Sequence, residues 1–353
     1  MPLKRVRIES FRCLSEVELP LHPRRNYVFG PNGAGKTSLL EAIYLLGRGR
    51  SFRTRHNRRL IQHGQQGFSV YGELDLGGNV HRLGVGCGPE GLGLRLNGEP
   101  APGMAALAEL LPIHVIEPNI HDLVEGGPKD RRRFLEWGVF HVEQGYLETW
   151  RRYRRILGQR NAALKAGSGA SGWNVSLIEA GAVVDSARGR YVDALALALR
   201  GLGESLLGYP LEVRYLRGWS ERIAFKEALE ASADRDMVKG ATQVGPHRAD
   251  LWVSLDARGV REEVSRGQQK LVAAGLILAQ IRVFATERGY GGVLLVDDPA
   301  AELDKRALEG LMSVLDELPA QQVITSLSEQ ALPASPGYPV FHVEPGGMLS
   351  MLQ

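Results

Sequence analysis

The chain has little cysteine and no long apolar run. Its 353 residues include only Cys13 and Cys87, too few for a disulfide framework or for a zinc site of their own. The longest apolar stretch, 271–281, is interrupted by Gly275 and Gln280 and is far shorter than the ~20 residues that cross a membrane. The opening residues also lack the apolar core of a signal peptide. Together these absences predict a cytoplasmic protein with no membrane segment.

Aromatic residues are sparse, at 7%, and the net charge is only +3, whereas apolar residues make up 44% of the chain. A chain of this length and composition can bury a large core, and two domains are the ordinary expectation. The charge is uneven, because residues 1–60 contain 13 Lys and Arg against 4 Asp and Glu, with six arginines between Arg48 and Arg59. Such a run is either a solvated face or a surface that binds DNA phosphates, and charge alone leaves both open.

Apolar periodicity predicts the order of the secondary-structure elements. Strands are predicted over 5–11, 15–21 and 27–29, then a helix over 37–47 closed by Gly47, then hairpins over 67–96. Long helices are predicted over 128–166 and 176–207, separated by the Gly- and Ser-rich segment 166–173. Strands at 211–216, 249–255, 293–296 and 322–325 and helices at 268–287 and 304–317 follow. The predicted fold class is therefore α/β: a mostly parallel head from residues 1–120 and 226–353, with a mainly helical domain inserted over 121–225.

Residues 30–37, with the sequence GPNGAGKT, match the phosphate-binding loop (P-loop) pattern G-x-x-x-x-G-K-[ST] between an apolar strand and a helix. The glycines let successive backbone N–H groups face phosphate oxygens at a helix N-terminus, whose dipole adds to the attraction. Lys36 would reach the β- and γ-phosphates, and the Thr37 hydroxyl would bind Mg²⁺.

A second motif is the apolar run 293–296, which ends in Asp297 and Asp298. Four apolar residues predict a strand that is buried on both faces and ends where α/β sheets bind ligands. Asp297 would hold Mg²⁺ through water, and Asp298 would orient or activate an attacking water. A strand ending in one Asp is common, so the second acid and the upstream P-loop carry the assignment.

Residues 265–270, SRGQQK, precede a strongly apolar helix. A capping serine and a glycine at a helix start form a second anion-binding terminus. Because the P-loop already supplies the phosphate ligands of its own site, this segment is predicted to act in trans, with Ser265 of one subunit capping ATP held by another. Asp304 is placed at the same subunit interface.

Together these motifs resemble the ABC-type ATPase heads of the SMC and Rad50 group, and more narrowly the RecF family of bacterial recombination mediators. Residues 8–12, IESFR, resemble the N-terminal strand of that group. Residues 134–141, 159–164 and 242–251 resemble RecF-specific segments that transporter ATPases lack. The resemblance spans nearly the whole chain.

The resemblance implies ATP and Mg²⁺ as ligands and an ATP-dependent homodimer that binds double-stranded DNA and single-strand/double-strand junctions at gaps. It implies work with RecO and RecR to load RecA, in recombinational repair, replication-fork maintenance and the SOS response. Carried over by position, the ATP contacts are Arg12, Gly30, Pro31, Asn32, Gly33, Ala34, Gly35, Lys36, Thr37 and Ser38, with Ser265, Gly267, Gln268 and Gln269 reaching the partner's nucleotide. Thr37 and Asp297 would hold the metal, and Asp298 and Lys36 would be catalytic.

Three departures from the ABC pattern stand out, and one of them, the missing histidine beside the γ-phosphate, predicts weak hydrolysis with DNA as a candidate activator. Asp298 stands where most ABC ATPases have glutamate, residues 325–328 contain no histidine, and the region of Glu117 contains no clear Q-loop glutamine. An aspartate is one methylene shorter, so its contact with the attacking water is expected to be looser.

Several arginines are candidates for DNA contacts, because guanidinium groups bind phosphates. They are Arg50, Arg53, Arg55, Arg58, Arg132, Arg151 and Arg155. His247, beside Arg248, has no nucleophile pattern near it, which favours a structural or interface role. Trp137, Trp150 and Tyr153 occur at helical spacing, which favours core packing over base stacking.

Two other functions stay open from the motifs alone. The nucleotide-binding subunit of an ABC transporter shares the P-loop and the signature, although the long Arg-rich insertion between Thr37 and Ser265 counts against it. A P-loop kinase of small molecules has no use for a signature serine in trans. A structural SMC-like protein is disfavoured, because no sustained heptads predict a coiled coil.

Overall fold

The computed structural model of the chain describes residues 2–333, 337–344 and 349–352. The chain divides into two compact units, Met1–Ile120 with Phe284–Gln353 (the first unit) and His121–Val283 (the second unit). The sequence predicts an insertion over residues 121–225. In the structure the strands after residue 210 pack on the helices of the second unit, which extends to Val283.

The elements follow the predicted order, with ends shifted by a few residues. The first unit begins with β1 (Leu3–Phe11), β2 (Leu14–Pro20), β3 (Arg25–Phe29), α1 (Lys36–Arg48), β4 (Phe68–Leu76), β5 (Asn79–Gly88), β6 (Gly91–Leu96), β7 (Glu99–Pro100), α2 (Met104–Leu110) and β8 (Ile113–Ile116). The second unit contains α3 (Asp122–Glu125), α4 (Pro128–Val142), α5 (Tyr146–Lys165), α6 (Asn174–Leu199), α7 (Leu202–Leu207), β9 (Leu211–Leu216), α8 (Phe225–Ala231), α9 (Ala233–Lys239), β10 (Asp250–Leu255), β11 (Arg258–Gly259) and α10 (Val260–Glu263). The remaining elements are α11 (Arg266–Arg288), inside which the second boundary falls, β12 (Val293–Val296), α12 (Pro299–Glu302), α13 (Lys305–Glu317), β13 (Gln321–Ser326), β14 (Val340–Val343) and β15 (Leu349–Leu352).

Two sheets of the first unit enclose α1. An antiparallel sheet has the strand order β2-β1-β4-β5-β6-β7, and a second sheet has the order β15-β14-β3-β13-β12-β8. In the second sheet β14, β3, β13, β12 and β8 are parallel and only the edge strand β15 is antiparallel. Helix α1 contacts β1, β4 and β5 of one sheet and β8 and β13 of the other. Because α1 is covered on both sides, its apolar side chains, such as Leu39, Leu40 and Ile43, are buried all round.

The end of α1 differs from the prediction. Gly47 lies inside the helix, where an added Cβ would collide with the backbone carbonyl of Leu111. Gly49 is the residue that closes the helix, with φ +60° and its N–H donated to the Leu45 carbonyl at 2.8 Å. Gly47 therefore permits close packing, and Gly49 supplies the left-handed cap.

The second unit is mainly helical, as predicted, and carries a small antiparallel sheet of order β11-β10-β9. The single helix expected over 128–166 is two helices, because Gly145 takes a left-handed conformation (φ +75°) between α4 and α5. Helices α5 and α6 pack on each other, and α6 also packs on β9. In the part of the chain that the structure describes, one helix, α11, has the length and apolar composition of a membrane span. The most apolar window of α11 is 72% buried within the structure, as is usual for a core helix.

Candidate functional site

The carboxyl ends of the parallel strands bring the predicted motifs of the first unit to one edge of the sheet. Strand β3 leads into the P-loop, β12 ends before Asp297, and β13, which lies between them, ends at Thr325 and Ser326. Strand β8 ends before the Glu117-Pro118 turn on the other side of β12. Ligands of open α/β sheets bind outside this edge. Segments far apart in sequence therefore meet there because the strands are parallel.

The P-loop has the backbone that phosphate binding requires. Gly33 (φ +80°) and Gly35 (φ +116°) occupy the left-handed region, which side chains disfavour. An added Cβ on Gly30 would collide with the carbonyl of Val343, and one on Gly35 would lie 2.8 Å from Leu14. Lys36 is buried, and its ammonium group donates to the carbonyls of Gly30 at 2.6 Å and Pro31 at 3.2 Å.

Two threonine hydroxyls contact the acids that follow β12, and that of Thr325 links Asp297 to Asp298. Thr37 Oγ1 donates to the Asp297 carboxylate, with oxygen separations of 2.9 and 3.1 Å. Thr325 Oγ1 donates to the same carboxylate at 2.9 Å and accepts the backbone N–H of Asp298 at 3.0 Å. Thr325 is fully buried. The predicted metal residues Thr37 and Asp297 thus touch, and Thr325 fixes Asp297 and Asp298 together.

Asp298 occupies an unusual conformation. Its φ of 43° and ψ of 60° place a non-glycine residue in the left-handed region at the start of α12, at a cost of about 1–2 kcal/mol. Burial raises the pKa of Asp298, Lys36 opposes the rise, and the adjacent Asp297 carboxylate adds to it. Strain and a raised carboxyl pKa are typical of functional residues.

A cavity of about 320 Å³ opens at this edge of the sheet, within the ~300–1,000 Å³ range of small-molecule sites. Pro31, Asn32, Gly33, Gly35, Lys36, Thr37 and Ser38 of the loop region line it, with Asp297 and Asp298. Cys13, Arg53, Pro118, Ala301 and Glu302 complete the lining. The predicted residues Gly30 and Ala34 are buried behind the loop and do not line the cavity. The sequence pattern did not indicate Cys13, Glu302 or Thr325 as part of this site.

A buried carboxylate anchors the arginine-rich loop beside the cavity. Glu41 is fully buried in α1, and both of its oxygens accept from Arg12, at 3.0 and 2.9 Å. Ser51 Oγ also donates to Glu41 and accepts the backbone N–H of Arg53 at 2.8 Å. Arg53 Nη1 lies 3.8 Å from Glu41 and lines the cavity. Arg12 is itself held by Glu41 and does not line the cavity, so its predicted contact with nucleotide stays a prediction.

The residues present suit magnesium. Mg²⁺ is bound through one or two carboxylates, hydroxyls, waters and substrate phosphates rather than by an all-protein cage. Thr37 and Asp297 supply adjacent oxygen donors of that kind. Among the described residues, no group of three or more His, Cys, Asp or Glu side chains could hold a metal. The donor set therefore fits a cation that is completed by phosphate oxygens and water.

The signature segment of the second unit begins a helix with reciprocal caps. Ser265 Oγ accepts the N–H of Gln268 at 3.3 Å, and Gln268 Oε1 accepts the N–H of Ser265 at 3.1 Å, which is a capping box. Ser265 and Gly267 are exposed, and an added Cβ on Gly267 would meet nothing within 4 Å. Packing within the chain therefore does not require glycine at this position.

Gln269 is held inside its own chain, unlike Ser265 and Gly267. It is buried, and its amide group donates to the carbonyls of Val260 and Arg261 at 3.3 and 3.4 Å. The reason is helical geometry, since Gln269 lies on the inner side of α11 while Ser265 and Gly267 face outward. Gln269 thus supports the α10–α11 turn, and its contact with a partner's nucleotide stays a prediction.

The candidate DNA arginines fall into three groups. Arg50, Arg55, Arg58, Arg151 and Arg155 are exposed. Arg53 lines the cavity described above, and Arg132 is half-buried with its Nη1 donating to the Ala249 carbonyl at 2.8 Å. Arg131, adjacent in the triplet 131–133, is buried and paired with Asp250 at 2.7 and 2.9 Å. Arg131 is therefore a structural residue.

A parallel sheet carrying a P-loop, an adjacent acidic pair and a separate capped signature helix defines the head of an ABC-type ATPase. The family described as "RecF/RecN/SMC N terminal domain" matches residues 2–344. The DNA replication and repair protein RecF of Thioalkalivibrio sulfidiphilus is 41% identical over 356 residues, 98% of each chain, and that of Pseudomonas entomophila is 39% identical over 357 residues, 98% of this chain and 97% of the relative. The chain belongs to the RecF family.

Solved structures agree with this assignment. The recombination mediator protein RecF with ATP, from the RecFOR pathway, superposes with a TM-score of 0.86 at 26% identity, covering 100% of this chain and 98% of that one. The Smc head bound to the C-terminal winged-helix domain of ScpA gives a TM-score of 0.60 at 15% identity, covering 100% of this chain and 98% of that one. The second likeness concerns the fold alone and confirms the predicted SMC-like head.

Proposed function

We propose that this chain binds ATP with Mg²⁺, dimerises on ATP, and as a dimer binds duplex DNA and single-strand/double-strand junctions at gaps. The observation that carries the proposal is the meeting of Lys36, Thr37, Asp297 and Asp298 around one cavity. The RecF relatives are named as DNA replication and repair proteins, and the solved RecF with ATP is named a recombination mediator. Work with RecO and RecR to load RecA, in recombinational repair and in the cytoplasm, belongs to the same proposal.

The P-loop N–H groups and Lys36 would hold the triphosphate. The Lys36 ammonium now bonds the carbonyls of Gly30 and Pro31, so it is already directed along the loop that would surround the phosphates. Thr37 and Asp297 would bind Mg²⁺, which neutralises charge on phosphate oxygens. Asp298 would orient the attacking water from its fixed position beside Thr325. The side chain of Asp298, one methylene shorter than that of glutamate, supports slow hydrolysis that releases the dimer.

The signature segment would complete the nucleotide site of a second subunit. Ser265 and Gly267 are exposed at the N-terminus of a 23-residue helix, where backbone N–H groups and the helix dipole attract phosphate. Glycine at position 267 has no role in the packing of its own chain, which suits the close approach of a partner. The transporter and kinase alternatives have no comparable support, because the family match covers nearly the whole chain.

The test is the size of the protein in solution with and without ATP. Wild type is expected to be a monomer alone and a dimer with ATP. Ser265→Arg should bind ATP and stay monomeric, because the bulky side chain blocks the trans contact. The matched control is Ser205→Arg, at an exposed position of the second unit outside the signature, and it should dimerise like wild type. Equal dimerisation of Ser265→Arg and wild type would contradict the trans assignment.

Hydrolysis is tested by ATP turnover with and without duplex DNA. Wild type is expected to turn over slowly and faster with DNA, and Asp298→Asn should bind ATP without hydrolysing it. Rapid turnover without DNA would contradict the switch-like role.

A further inference from the structure

The three segments that resemble RecF sequences, residues 134–141, 159–164 and 242–251, do not line the nucleotide cavity. Hydrogen bonds instead join them inside the second unit, directly or through Arg188. Arg160 Nη1 donates to Asp236 and to the Thr242 hydroxyl, both at 2.7 Å. Asn161 Oδ1 accepts the N–H and the hydroxyl of Thr242 at 2.8 and 2.7 Å. Residues 159–164 therefore hold the start of the loop 242–249.

The middle and the end of the loop 242–249 are held in the same way. Arg188, fully buried, donates to the Pro246 carbonyl at 2.5 Å and pairs with Glu136. His247 lies between the Tyr153 hydroxyl at 2.7 Å and the Thr242 carbonyl at 3.0 Å. Gly245, at φ +129°, leaves no room for a Cβ beside Tyr153 and Phe225. Buried charges are costly unless fully paired, so this degree of internal pairing indicates a loop that must keep one conformation.

The loop presents a cluster of arginines at the surface. Arg248 is exposed, and its Nη2 lies 3.3 Å from the Thr242 carbonyl. Arg132 Nη1 donates to the carbonyl of Ala249, at the end of the same loop. Arg154, exposed and next to Tyr153, packs over the Trp150 ring with its guanidinium carbon 5.7 Å from the centroid. Burial and the nearby charges of Arg248, Arg132 and Arg154 together lower the pKa of His247 to about 4. Three guanidinium groups therefore lie near one neutral imidazole, and Arg248 shares the Thr242 carbonyl with it.

The carboxylates near these arginines are already paired with other residues. Asp250 accepts two hydrogen bonds from Arg131, and Glu136 accepts from Arg188 and from Tyr146. Within residues 2–333, 337–344 and 349–352, neither Arg154 nor Arg248 forms an ion pair with a carboxylate. The cluster is thus positive and fixed in place, with charge available for an external anion.

We propose that Arg132, Arg154 and Arg248 form a binding site for the phosphodiester backbone of duplex DNA, held in place by the loop 242–249. The proposal rests on the DNA binding proposed above and assigns part of it to residues of the second unit. Guanidinium forks on a rigid support bind phosphate oxygens with two hydrogen bonds each, which favours arginine over lysine. The RecF-specific segments would then serve to present this site.

The test is binding of a fluorescent duplex of mixed sequence, and of its single strand, across a salt series with ATP present. Arg248→Gln and Arg154→Gln should each weaken duplex binding about tenfold, the size of one charge-assisted hydrogen bond. Each should also reduce the slope of log affinity against log salt by about 1. Arg248→Lys, which keeps the charge and loses the fork, should fall between Arg248→Gln and wild type.

The matched control is Arg200→Gln. Arg200 is exposed at the end of α6, about 18 Å along the helix from Arg188, and its variant should bind like wild type. ATP-dependent dimerisation of Arg248→Gln, unchanged from wild type, verifies folding. Unchanged affinity and slope in Arg248→Gln, an equal loss in Arg200→Gln, or a loss confined to the single strand would overturn this site while leaving the proposed function intact. No binding of either strand by wild type would overturn both.

Discussion

Thr325 positions both acids at the edge of the parallel sheet. Its hydroxyl donates to Asp297 and accepts the N–H of Asp298, so one small side chain sets the geometry of the proposed metal ligand and of the proposed water-orienting residue. Residues 325–328 contain no histidine, and Thr325, at the end of β13, contacts both acids instead. We therefore expect Thr325 to act as a positioning residue.

Replacement of Thr325 with valine keeps the shape and removes both hydrogen bonds. Thr325→Val is expected to lower the ATP turnover rate 10- to 100-fold, the usual effect of losing a partner of a metal ligand, and to raise the Mg²⁺ concentration needed for half-maximal turnover. Nucleotide binding without Mg²⁺ should be unchanged. Thr325→Ser, which keeps the hydroxyl, should restore most of the rate. A Thr325→Val protein with wild-type Mg²⁺ dependence would contradict the role.

His114 is a buried histidine whose charge state depends on folding. It lies in β8 with its ring 5.1 Å from that of Phe284, and its Nε2 has no hydrogen-bond partner among the described residues. Burial and, to a smaller extent, the charge of Arg48 lower the pKa of His114 from 6.5 to about 3. The folded protein therefore keeps His114 neutral at a pH where the unfolded chain would bind a proton.

This depressed pKa makes a prediction about acid stability. Between pH 6.5 and about 3 the unfolded state binds more protons, so the free energy of unfolding falls as the pH falls. In this window the free energy of unfolding of His114→Leu should fall by roughly 1.4 kcal/mol less per pH unit than that of wild type. The measurement is denaturant unfolding of both proteins over a pH series, and parallel curves for the two would contradict the prediction.

In the arginine-rich loop between α1 and β4, the contacts of the buried Glu41 give Arg53 a different position from the other arginines. Glu41 fixes Arg12 and Ser51, and this anchor turns Arg53 to the cavity while Arg50, Arg55 and Arg58 remain exposed. One run of arginines therefore contributes both to the wall of the nucleotide cavity and to the exposed surface of the loop.

The division can be tested with matched variants of the loop. Arg53→Gln is expected to weaken ATP binding several-fold, because it removes a cation from the cavity wall, and Arg55→Gln should leave ATP binding unchanged. Charge removal at Arg50, Arg55 and Arg58 together should weaken DNA binding uniformly across sequences and flatten its salt dependence. ATP titration and DNA anisotropy measure the two effects, and a loss of ATP affinity in Arg55→Gln equal to that in Arg53→Gln would contradict the division.

The proposed dimer requires glycine at position 267 for the close approach of a partner, whereas the packing of the single chain does not require it. Alanine is favoured over glycine inside a helix by about 1 kcal/mol, and a Cβ at this position meets nothing in the chain itself. Gly267→Ala is therefore expected to unfold at the same or a higher temperature than wild type without nucleotide, yet to form less dimer with ATP. Thermal unfolding and light scattering give the two readouts. Dimerisation equal to wild type would contradict a close approach at Gly267.

Parts of both units follow from local sequence patterns. The P-loop, the apolar strand before Asp297 and the capped helix at Ser265 were predictable because each is a short motif with a local physical cause: positive-φ glycines, two-sided burial, or a terminal hydroxyl. The meeting of Lys36, Thr37 and Asp297 at one sheet edge was also predictable, since parallel strands end at the same side.

Whether an individual polar side chain is buried depends on partners that are distant in the sequence. Arg131 is buried because Asp250 lies against it, Arg188 because Glu136 and Pro246 do, and Gln269 because α10 covers its side of the helix. No local pattern separates Arg131 from Arg132 or Arg53 from Arg55. Burial of a charge requires a partner that only the folded chain brings near, and for that reason the tertiary structure alone separated the buried arginines from those left at the surface.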